Sequence, residues 1–315
     1  MFMSELAYTI GVYLGGTNLR AAAIDRSGNI LDKTSGSTNF EEGRDAVLDD
    51  IAAAVEQLRT RFGAAGFYGI GIGVPGFIDI EKGVIVGTHN LLGFDGFPMR
   101  DDLSRRLETP VILENDANAA ALGEKWMGAG RDVNDLVLLT LGTGIGGGII
   151  SGGRVLHGFV GMAGELGHIT VYPGGNICGC GNNGCLEKHA SATAIEAMAK
   201  LVTLGDNLTA KDVYDLAEQG NRNAARVFEQ MGTALGIGLA TLINIFNFPL
   251  YLLSGGVLPS WKYFAPSMMA EIETRSFTFR NTRTRVEPAT LGNQAGLFGA
   301  AYLPFLLQKL GAGSQ

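Results

Sequence analysis

Residues 11–20 read GVYLGGTNLR, where an apolar stretch runs into two glycines and a threonine before a second stretch begins. This order predicts two β-strands joined by a glycine turn. Glycine permits positive φ angles and close approach of the backbone, so such a turn can present its N–H groups to a phosphate. For a single motif of this kind, an ordinary hairpin turn is the alternative.

The same order returns at residues 135–156, DLVLLTLGTGIGGGIISGGRVL. The repetition of strand, glycine turn and strand predicts a duplicated α/β architecture of two lobes with a cleft between them. A third glycine turn, SGG at 254–256, follows another apolar stretch. Three such turns favour phosphate binding over ordinary hairpins. None of them matches GxxxxGK[ST], so a P-loop nucleotidase is not expected.

Between the glycine turns, the spacing of apolar residues predicts alternating helices and strands. We expect a small α/β lobe of residues 1–116 completed by a C-terminal helix at about 296–315, and a large α/β lobe of residues 117–295. Strands are predicted at FYGIGIGVPG, PVILEN, PLYLLSGGV and TRVEPATLG, and helices at 42–61, 101–107, 191–203, 210–219, 221–247, 262–275 and 294–310.

Composition and charge limit the classes of function. A hydrophobic content of 46% with 17% charged residues is typical of a globular protein. The net charge of −7 disfavours nucleic acid and anionic membranes as partners. No apolar run reaches the roughly 18 residues that a membrane span needs, and the first residues lack the pattern of a signal peptide. We therefore expect a cytoplasmic protein.

The stretch ENDAN, residues 114–118, follows a predicted strand and begins a predicted helix. Asn115 and Asp116 are both suited to cap that helix. Alternatively, Asp116 is a general base beside a substrate hydroxyl, because phosphoryl transfer to an alcohol needs one carboxylate that accepts the proton.

The three cysteines of the chain all lie in residues 178–185, downstream of a histidine with the spacing H-x9-C-x-C-x4-C. One imidazole and three thiolates complete the tetrahedral coordination of Zn²⁺, so the pattern predicts a structural zinc site. The metal would fix the loop that carries Glu165 and Glu187, two carboxylates suited to accept hydrogen bonds from paired sugar hydroxyls. The predicted ligands are His168, Cys178, Cys180 and Cys185.

The motifs LGGTNLR, ENDANAAALGE, LGTGIGGGI, GELGH and CGCGNNGCLE together resemble the ROK family (repressor, open reading frame, kinase), and within it the bacterial glucokinases. The resemblance covers essentially the whole chain. It implies an actin-like fold of two ribonuclease-H-like lobes, a structural zinc, and a homodimer, with a tetramer left open. It also implies transfer of the γ-phosphate of ATP, with Mg²⁺, to the 6-hydroxyl of a hexose. Glucose is the first choice of hexose and N-acetylmannosamine or another hexose the second, and polyphosphate stays open as a donor.

The resemblance also implies a role for individual residues. Asp116 would be the catalytic base, and His168 would serve the zinc through one ring nitrogen and the sugar through the other. The implied sugar contacts are Asn90, Asn115, Asp116, Glu165, His168 and Glu187. The implied phosphate and nucleotide contacts are Gly15, Gly16, Thr17, Asn18, Thr143, Gly144, Gly255 and Gly256. The helix-turn-helix of ROK repressors is not expected, since the first glycine turn begins by Gly15.

Tyr13 departs from the family pattern, which has an acidic residue, usually Asp, two positions before the first glycine. The resemblance implies that this carboxylate helps to hold Mg²⁺ and to orient the phosphates. A phenol with an ordinary pKa of about 10 supplies no negative charge at neutral pH. Three interpretations stay open: a slow kinase, a sugar-binding protein that transfers no phosphate, and a substitution introduced into the chain.

Overall fold

The computed structural model describes residues 7–15, 18–38, 40–88 and 91–312. They form two compact α/β units. Unit 1 takes in the described residues of 1–134, 148–163 and 293–315, and unit 2 takes in residues 135–147 and 164–292.

The strands follow the predicted order along the chain. The described strands are β1 (Tyr8–Leu14), β2 (Asn18–Asp25), β3 (Ile30–Ser37), β4 (Phe67–Val74), β5 (Phe77–Asp79), β6 (Val84–Gly87), β7 (Val111–Asn115), β8 (Leu136–Leu141), β9 (Ile145–Ser151), β10 (Arg154–Val155), β11 (Leu250–Ser254) and β12 (Arg285–Pro288).

The helices are also close to their predicted positions. The described helices are α1 (Arg44–Phe62), α2 (Met99–Arg106), α3 (Asp116–Met127), α4 (Glu187–Ala190), α5 (Ala192–Leu201), α6 (Ala210–Glu218), α7 (Arg222–Phe246), α8 (Trp261–Arg275), α9 (Phe277–Asn281) and α10 (Ala295–Ala312).

Unit 1 is built on a five-stranded sheet with the order β3-β2-β1-β4-β7. β1 pairs antiparallel with β2, with Val12 opposite Ala21, and parallel with β4, which pairs parallel with β7. The two strands predicted on either side of the first glycine turn are present as β1 and β2, and β3 continues the meander by pairing antiparallel with β2. α1 packs on β1, β2 and β3, whereas α10 packs on β1, β4 and α3. The parallel pairing brings the carboxyl ends of β1, β4 and β7 to one edge of the sheet.

α10 lies so close to its neighbours that glycines replace side chains at the contact. A Cβ atom at Gly11 of β1 would lie 2.6 Å from the carbonyl oxygen of Leu297. One at Gly299 of α10 would overlap the carbonyl oxygen of Ala119 on α3. Because protein interiors are close-packed, such positions admit a larger residue only if the helix shifts. This packing places α3 in unit 1, although the sequence interpretation began the second lobe at residue 117.

Unit 2 contains the parallel strands β8, β11 and β12, with β11 between the other two. All five residues of β11 are buried, as is usual for a parallel strand covered on both faces. Its longest helix, α7, packs on α8. The side chain of Asn221 caps the start of α7, and Asn247 ends it in the left-handed conformation.

Three features escaped the sequence analysis: the β5–β6 hairpin, α4 and α9. Each element in this group has three to five residues, which is too short for a hydrophobic period to develop. Among the described residues, none of the helices combines the length and the hydropathy needed to cross a bilayer.

We expect Gly299→Ala to lower the free energy of unfolding by about 1–3 kcal/mol, the usual effect of forcing volume into a packed interior. Gly36→Ala is the matched control, because no atom lies near the Cβ position of Gly36 in β3 and alanine in a strand is no worse than glycine. Urea denaturation followed by circular dichroism measures both variants. A free energy of unfolding of Gly299→Ala equal to that of the wild type would contradict the close packing of α10.

Candidate functional site

The catalytic candidate of unit 1 lies where β7 ends and α3 begins. The side-chain oxygen of Asn115 accepts hydrogen bonds from the backbone N–H groups of Ala117 (2.9 Å) and Asn118 (3.1 Å), so Asn115 is the cap of α3. Its side-chain NH₂ donates to the carbonyl of Gly76 (3.1 Å) and to Oδ1 of Asp116 (3.1 Å). The cap that the sequence left open between two residues is therefore Asn115, and Asp116 is held half-buried as the first helical residue.

Tyr13 lies near Asp116 with its ring against two glycines. A Cβ atom on Gly73 would lie 3.7 Å from Cδ2 of Tyr13 and 3.9 Å from Cα of Asp116, and one on Gly296 would overlap the ring. Burial and the negative charge of Asp116 raise the pKa of Tyr13 to about 12, against the opposing effect of Arg20. The phenol is therefore neutral near pH 7, and its ring occupies space that Gly296 of α10 leaves open.

The turn between β1 and β2 carries four of the predicted phosphate contacts. The backbone N–H of Gly15 donates to the carbonyl of Asn18 (2.8 Å), which closes the turn beside the end of β1. Gly16 and Thr17 lie outside the described residues, as does the predicted sugar contact Asn90.

In unit 2, the glycine turn after β8 is hydrogen-bonded to the carboxylate of Glu187. Oε2 of Glu187 accepts a hydrogen bond from the backbone N–H of Ile145 (3.0 Å), and a Cβ atom on Gly144 would overlap this carboxylate. The hydroxyl of Thr193 donates to the carbonyl of Thr143 (2.9 Å). The predicted phosphate residues of this turn thus lie next to the predicted sugar residue Glu187.

A cavity of about 480 Å³ opens beside the same turn, within unit 2. Thr143 and Gly256, both predicted nucleotide contacts, line it. Gly255 has a φ of 106°, and a Cβ atom there would overlap the carbonyl oxygen of Leu141. The volume is within the range of about 300–1,000 Å³ usual for small-molecule pockets. Other lining residues, which the sequence analysis missed, include Ala192, Lys211, Tyr214, Phe228 and Pro259.

The histidine and the three cysteines of the predicted zinc site come together in unit 2. Nδ1 of His168 lies 3.5 Å from Sγ of Cys178, and the sulfurs of Cys180 and Cys185 are 3.6 Å apart. All four ligand atoms lie within 4.8 Å of one another, and the cysteines form no disulfide. A tetrahedral Zn²⁺ with Zn–S bonds of about 2.3 Å holds two sulfurs about 3.8 Å apart. The donor set and its spacing therefore fit a closed tetrahedral metal site.

The backbone of the cysteine loop is arranged around these ligands. The N–H of Cys178 donates to the carbonyl of Asn182 (2.9 Å). Gly184 has a φ of 77°, and a Cβ atom there would overlap the carbonyl oxygen of Tyr172. Burial and the neighbouring thiols raise the pKa of Cys185 to about 12. A bound cation would supply the stabilisation that the thiolate otherwise lacks.

His168 presents its two ring nitrogens to two different partners. Nδ1 faces Cys178, whereas Nε2 lies 3.8 Å from Oε2 of Glu165. Burial raises the pKa of Glu165, an effect that His168 opposes and Glu187 increases. A residue that binds a metal through one nitrogen and a substrate hydroxyl through the other requires this kind of arrangement.

Comparison with known proteins reveals similarity along nearly the whole chain. A model of the ROK family matches residues 9–305. The glucokinase of Halalkalibacterium halodurans is 38% identical, with 96% of each chain covered. The crystal structure of a ROK hexokinase from Thermus thermophilus has a TM-score of 0.85 at 36% identity and covers 96% of this chain and 99% of that one. A ROK family glucokinase from Streptomyces griseus, in complex with glucose and AMPPNP, has a TM-score of 0.77 at 34% identity, with coverages of 94% and 99%. The α/β, actin-like fold expected from the sequence is confirmed.

We expect the purified protein to contain about one zinc ion per chain, since four ligands close one tetrahedral site. Cys180→Ser should lose the metal, because it removes one thiolate while the exposed position of Cys180 spares the core. Ile177→Ser, an exposed site in the same loop that offers no ligand, should keep it. Plasma mass spectrometry after dialysis measures the content. A full complement of metal in Cys180→Ser would contradict the four-ligand site.

Proposed function

The chain belongs to the ROK family, and we propose that it is an ATP-dependent hexose kinase that transfers the γ-phosphate to the 6-hydroxyl of glucose. The observation that carries the proposal is Asp116, a carboxylate held by Asn115 at the first residue of α3. Relatives whose names say glucokinase align over nearly the whole chain. N-acetylmannosamine and other hexoses are the alternative substrates, because a putative N-acetylmannosamine kinase from Listeria monocytogenes shares the fold at 27% identity and a TM-score of 0.79.

Asp116 would accept the proton of the 6-hydroxyl as the sugar oxygen bonds to the γ-phosphorus. The bond from that phosphorus to the β–γ bridging oxygen breaks, and ADP leaves. Because there is little other covalent chemistry for the protein to perform, its remaining contribution is positioning and charge stabilisation.

Sugar recognition is assigned to carboxylates and amides. Glu165 and Glu187 each accept two hydrogen bonds when they bind neighbouring hydroxyls, and Asn115 can donate and accept. His168 offers Nε2 on the side away from the cysteines. Asn90 completes the proposed set from outside the described residues.

ATP is assigned to the two glycine turns and to the cavity of unit 2. Thr143 and Gly144 would meet phosphate, and Gly255 and Gly256 would lie against the nucleoside, where the cavity has room for it. The other proposed phosphate contacts are Gly15, Gly16, Thr17 and Asn18. Mg²⁺ that accompanies ATP neutralises phosphate charge. At the β1–β2 turn the chain would contribute one carboxylate fewer than the family pattern, because Tyr13 is neutral.

Three further properties belong to the same proposal. The metal of the cysteine cluster is zinc with a structural role, since the four ligands leave no open position. The protein is a homodimer or a tetramer and works in the cytoplasm, where ATP is available. It has no nucleic-acid or membrane partner, which accords with the net charge of −7.

The test of the proposed function is turnover with MgATP in a coupled assay, with glucose compared against N-acetylmannosamine and with polyphosphate as a second donor.

Asp116→Asn should reduce kcat by about 10²–10⁴-fold, the usual contribution of a general base, while calorimetry still detects glucose binding. Asp101→Asn, an exposed position on α2, is the control and should keep wild-type turnover. Glucose binding without any turnover in the wild type would favour the alternative of a sugar-binding protein.

Tyr13→Asp should increase kcat, by up to about 10²-fold, because it restores one electrostatic contact to the phosphate turn. Tyr13→Phe should match the wild type between about pH 6 and 9, since the phenol, with its pKa of about 12, carries no charge in that range. Initial-rate assays at saturating glucose and MgATP compare kcat of the wild type and the two variants. A slower Tyr13→Asp variant would show that the aromatic ring itself is required.

A further inference from the structure

Glu114 is a buried carboxylate next to the cap of α3, with 2% of its surface exposed. Its Oε1 accepts hydrogen bonds from the backbone N–H of Asn115 (2.9 Å) and from the side-chain NH₂ of Asn118 (3.1 Å). Its Oε2 lies 2.7 Å from Nε2 of His157. A buried carboxylate is unfavourable unless it has hydrogen bonds and a counter-charge, and His157 supplies a hydrogen bond and, when protonated, the counter-charge.

His157 reaches Glu114 from the loop that follows β10, within unit 1. The hydrogen bond with Glu114 raises the pKa of His157, despite the opposing effect of its burial, so the imidazolium is favoured. The loop is itself held in place: the N–H of Ala163 donates to the carbonyl of His157 (3.0 Å), and a Cβ atom on Gly161 would overlap the carbonyl oxygen of Ile78. The imidazole is therefore presented to Glu114 from a fixed backbone.

We propose that His157 is a positioning residue for phosphoryl transfer, which acts through Glu114 to keep Asn115 and Asp116 in their reactive orientation. Each link of this chain is a contact: His157 to Glu114, Glu114 to the backbone of Asn115, and the side chain of Asn115 to Oδ1 of Asp116. The proposal rests on the proposed function only in taking Asp116 as the base.

The link matters because the same residue serves two tasks. Asn115 both caps α3 and orients Asp116, so a shift of its backbone moves the carboxylate that receives the proton. Displacement of a reacting group by about 1 Å commonly reduces a rate by about 10²-fold. If the His157–Glu114 pair only stabilised the fold, its removal would lower the melting temperature and leave kcat of the folded protein unchanged.

The experiment compares His157→Phe with the conservative His157→Gln. Phenylalanine occupies the position of the imidazole but offers no donor to Oε2 of Glu114, whereas glutamine keeps an N–H donor at similar reach. We expect kcat of His157→Phe to fall by about 10²-fold with a much smaller change in KM for glucose, and His157→Gln to recover most of that loss. Lys82→Gln, which breaks an exposed ion pair with Asp79 in the same unit, is the control and should change neither constant.

Hydrogen exchange provides a readout that does not depend on turnover. Peptides spanning residues 111–122 should exchange faster in His157→Phe than in the wild type, because Asn115, whose side chain accepts from the amides of Ala117 and Asn118, would be held less firmly. An unchanged kcat in His157→Phe would overturn the proposal. So would a loss of kcat that is equal in both variants and is accounted for by their fraction of unfolded protein. If the wild type phosphorylates no hexose, the proposed function fails, and unaltered exchange at 111–122 would then overturn the positioning role separately.

Discussion

The direct contact of α10 with bare backbone is the constraint on which unit 1 depends. At Gly71 of β4 a Cβ atom would overlap the carbonyl of Ala300, and at Gly123 of α3 it would overlap that of Ala295. α10 thus packs directly on the backbone of β4 and of α3, with no side chain of these glycines in between. Because α3 packs closely on α10, its first residue, Asp116, is held at the edge of the sheet.

Tyr13 belongs to this packing. A large ring at the end of a buried strand would ordinarily displace its neighbours, yet Gly296 leaves the volume that it fills, because a Cβ atom there would overlap the ring. The surroundings are complementary to the phenol. Its neutrality also has an electrostatic consequence, since Asp116 has no second carboxylate at residue 13 to repel it. Tyr13 therefore adds neither repulsion toward Asp116 nor attraction for a metal ion at this end of β1.

Features that depend on short stretches of chain were predictable from the sequence. The glycine turns, the strands that precede them and the ligand spacing from His168 to Cys185 are local, because residue types and turn chemistry act over a few positions. The cavity of unit 2 was predictable only in part: Thr143 and Gly256 belong to the glycine turns, whereas much of the remaining wall comes from α5, α6 and α7, which share no motif. The role of His157 escaped notice for the same reason: its partner, Glu114, lies 43 residues earlier, and a lone histidine in a loop has no distinguishing pattern.

The boundary between the units was drawn at residue 116 from the sequence because helix patterns do not reveal which sheet a helix covers. α3 follows β7 directly, but its packing partner, α10, begins at Ala295. The assignment of α3 to unit 1 depends on its contact with α10, a segment far away in the sequence. The choice between Asn115 and Asp116 as helix cap was similarly open, since both residue types cap well and the hydrogen bonds alone distinguish them.

The position of α10 in the chain has a consequence for biosynthesis. A ribosome makes β1 first and α10 only after all of unit 2, so the glycine-lined surface of the first sheet stays uncovered during most of translation. Unit 2 has its own parallel strands and long helices and can begin to fold before that surface is closed. Completion of unit 1 is therefore a late event that joins segments nearly 300 residues apart, as in the hydrogen bond from Thr9 to Ala301. Contacts between residues so far apart in the sequence form slowly.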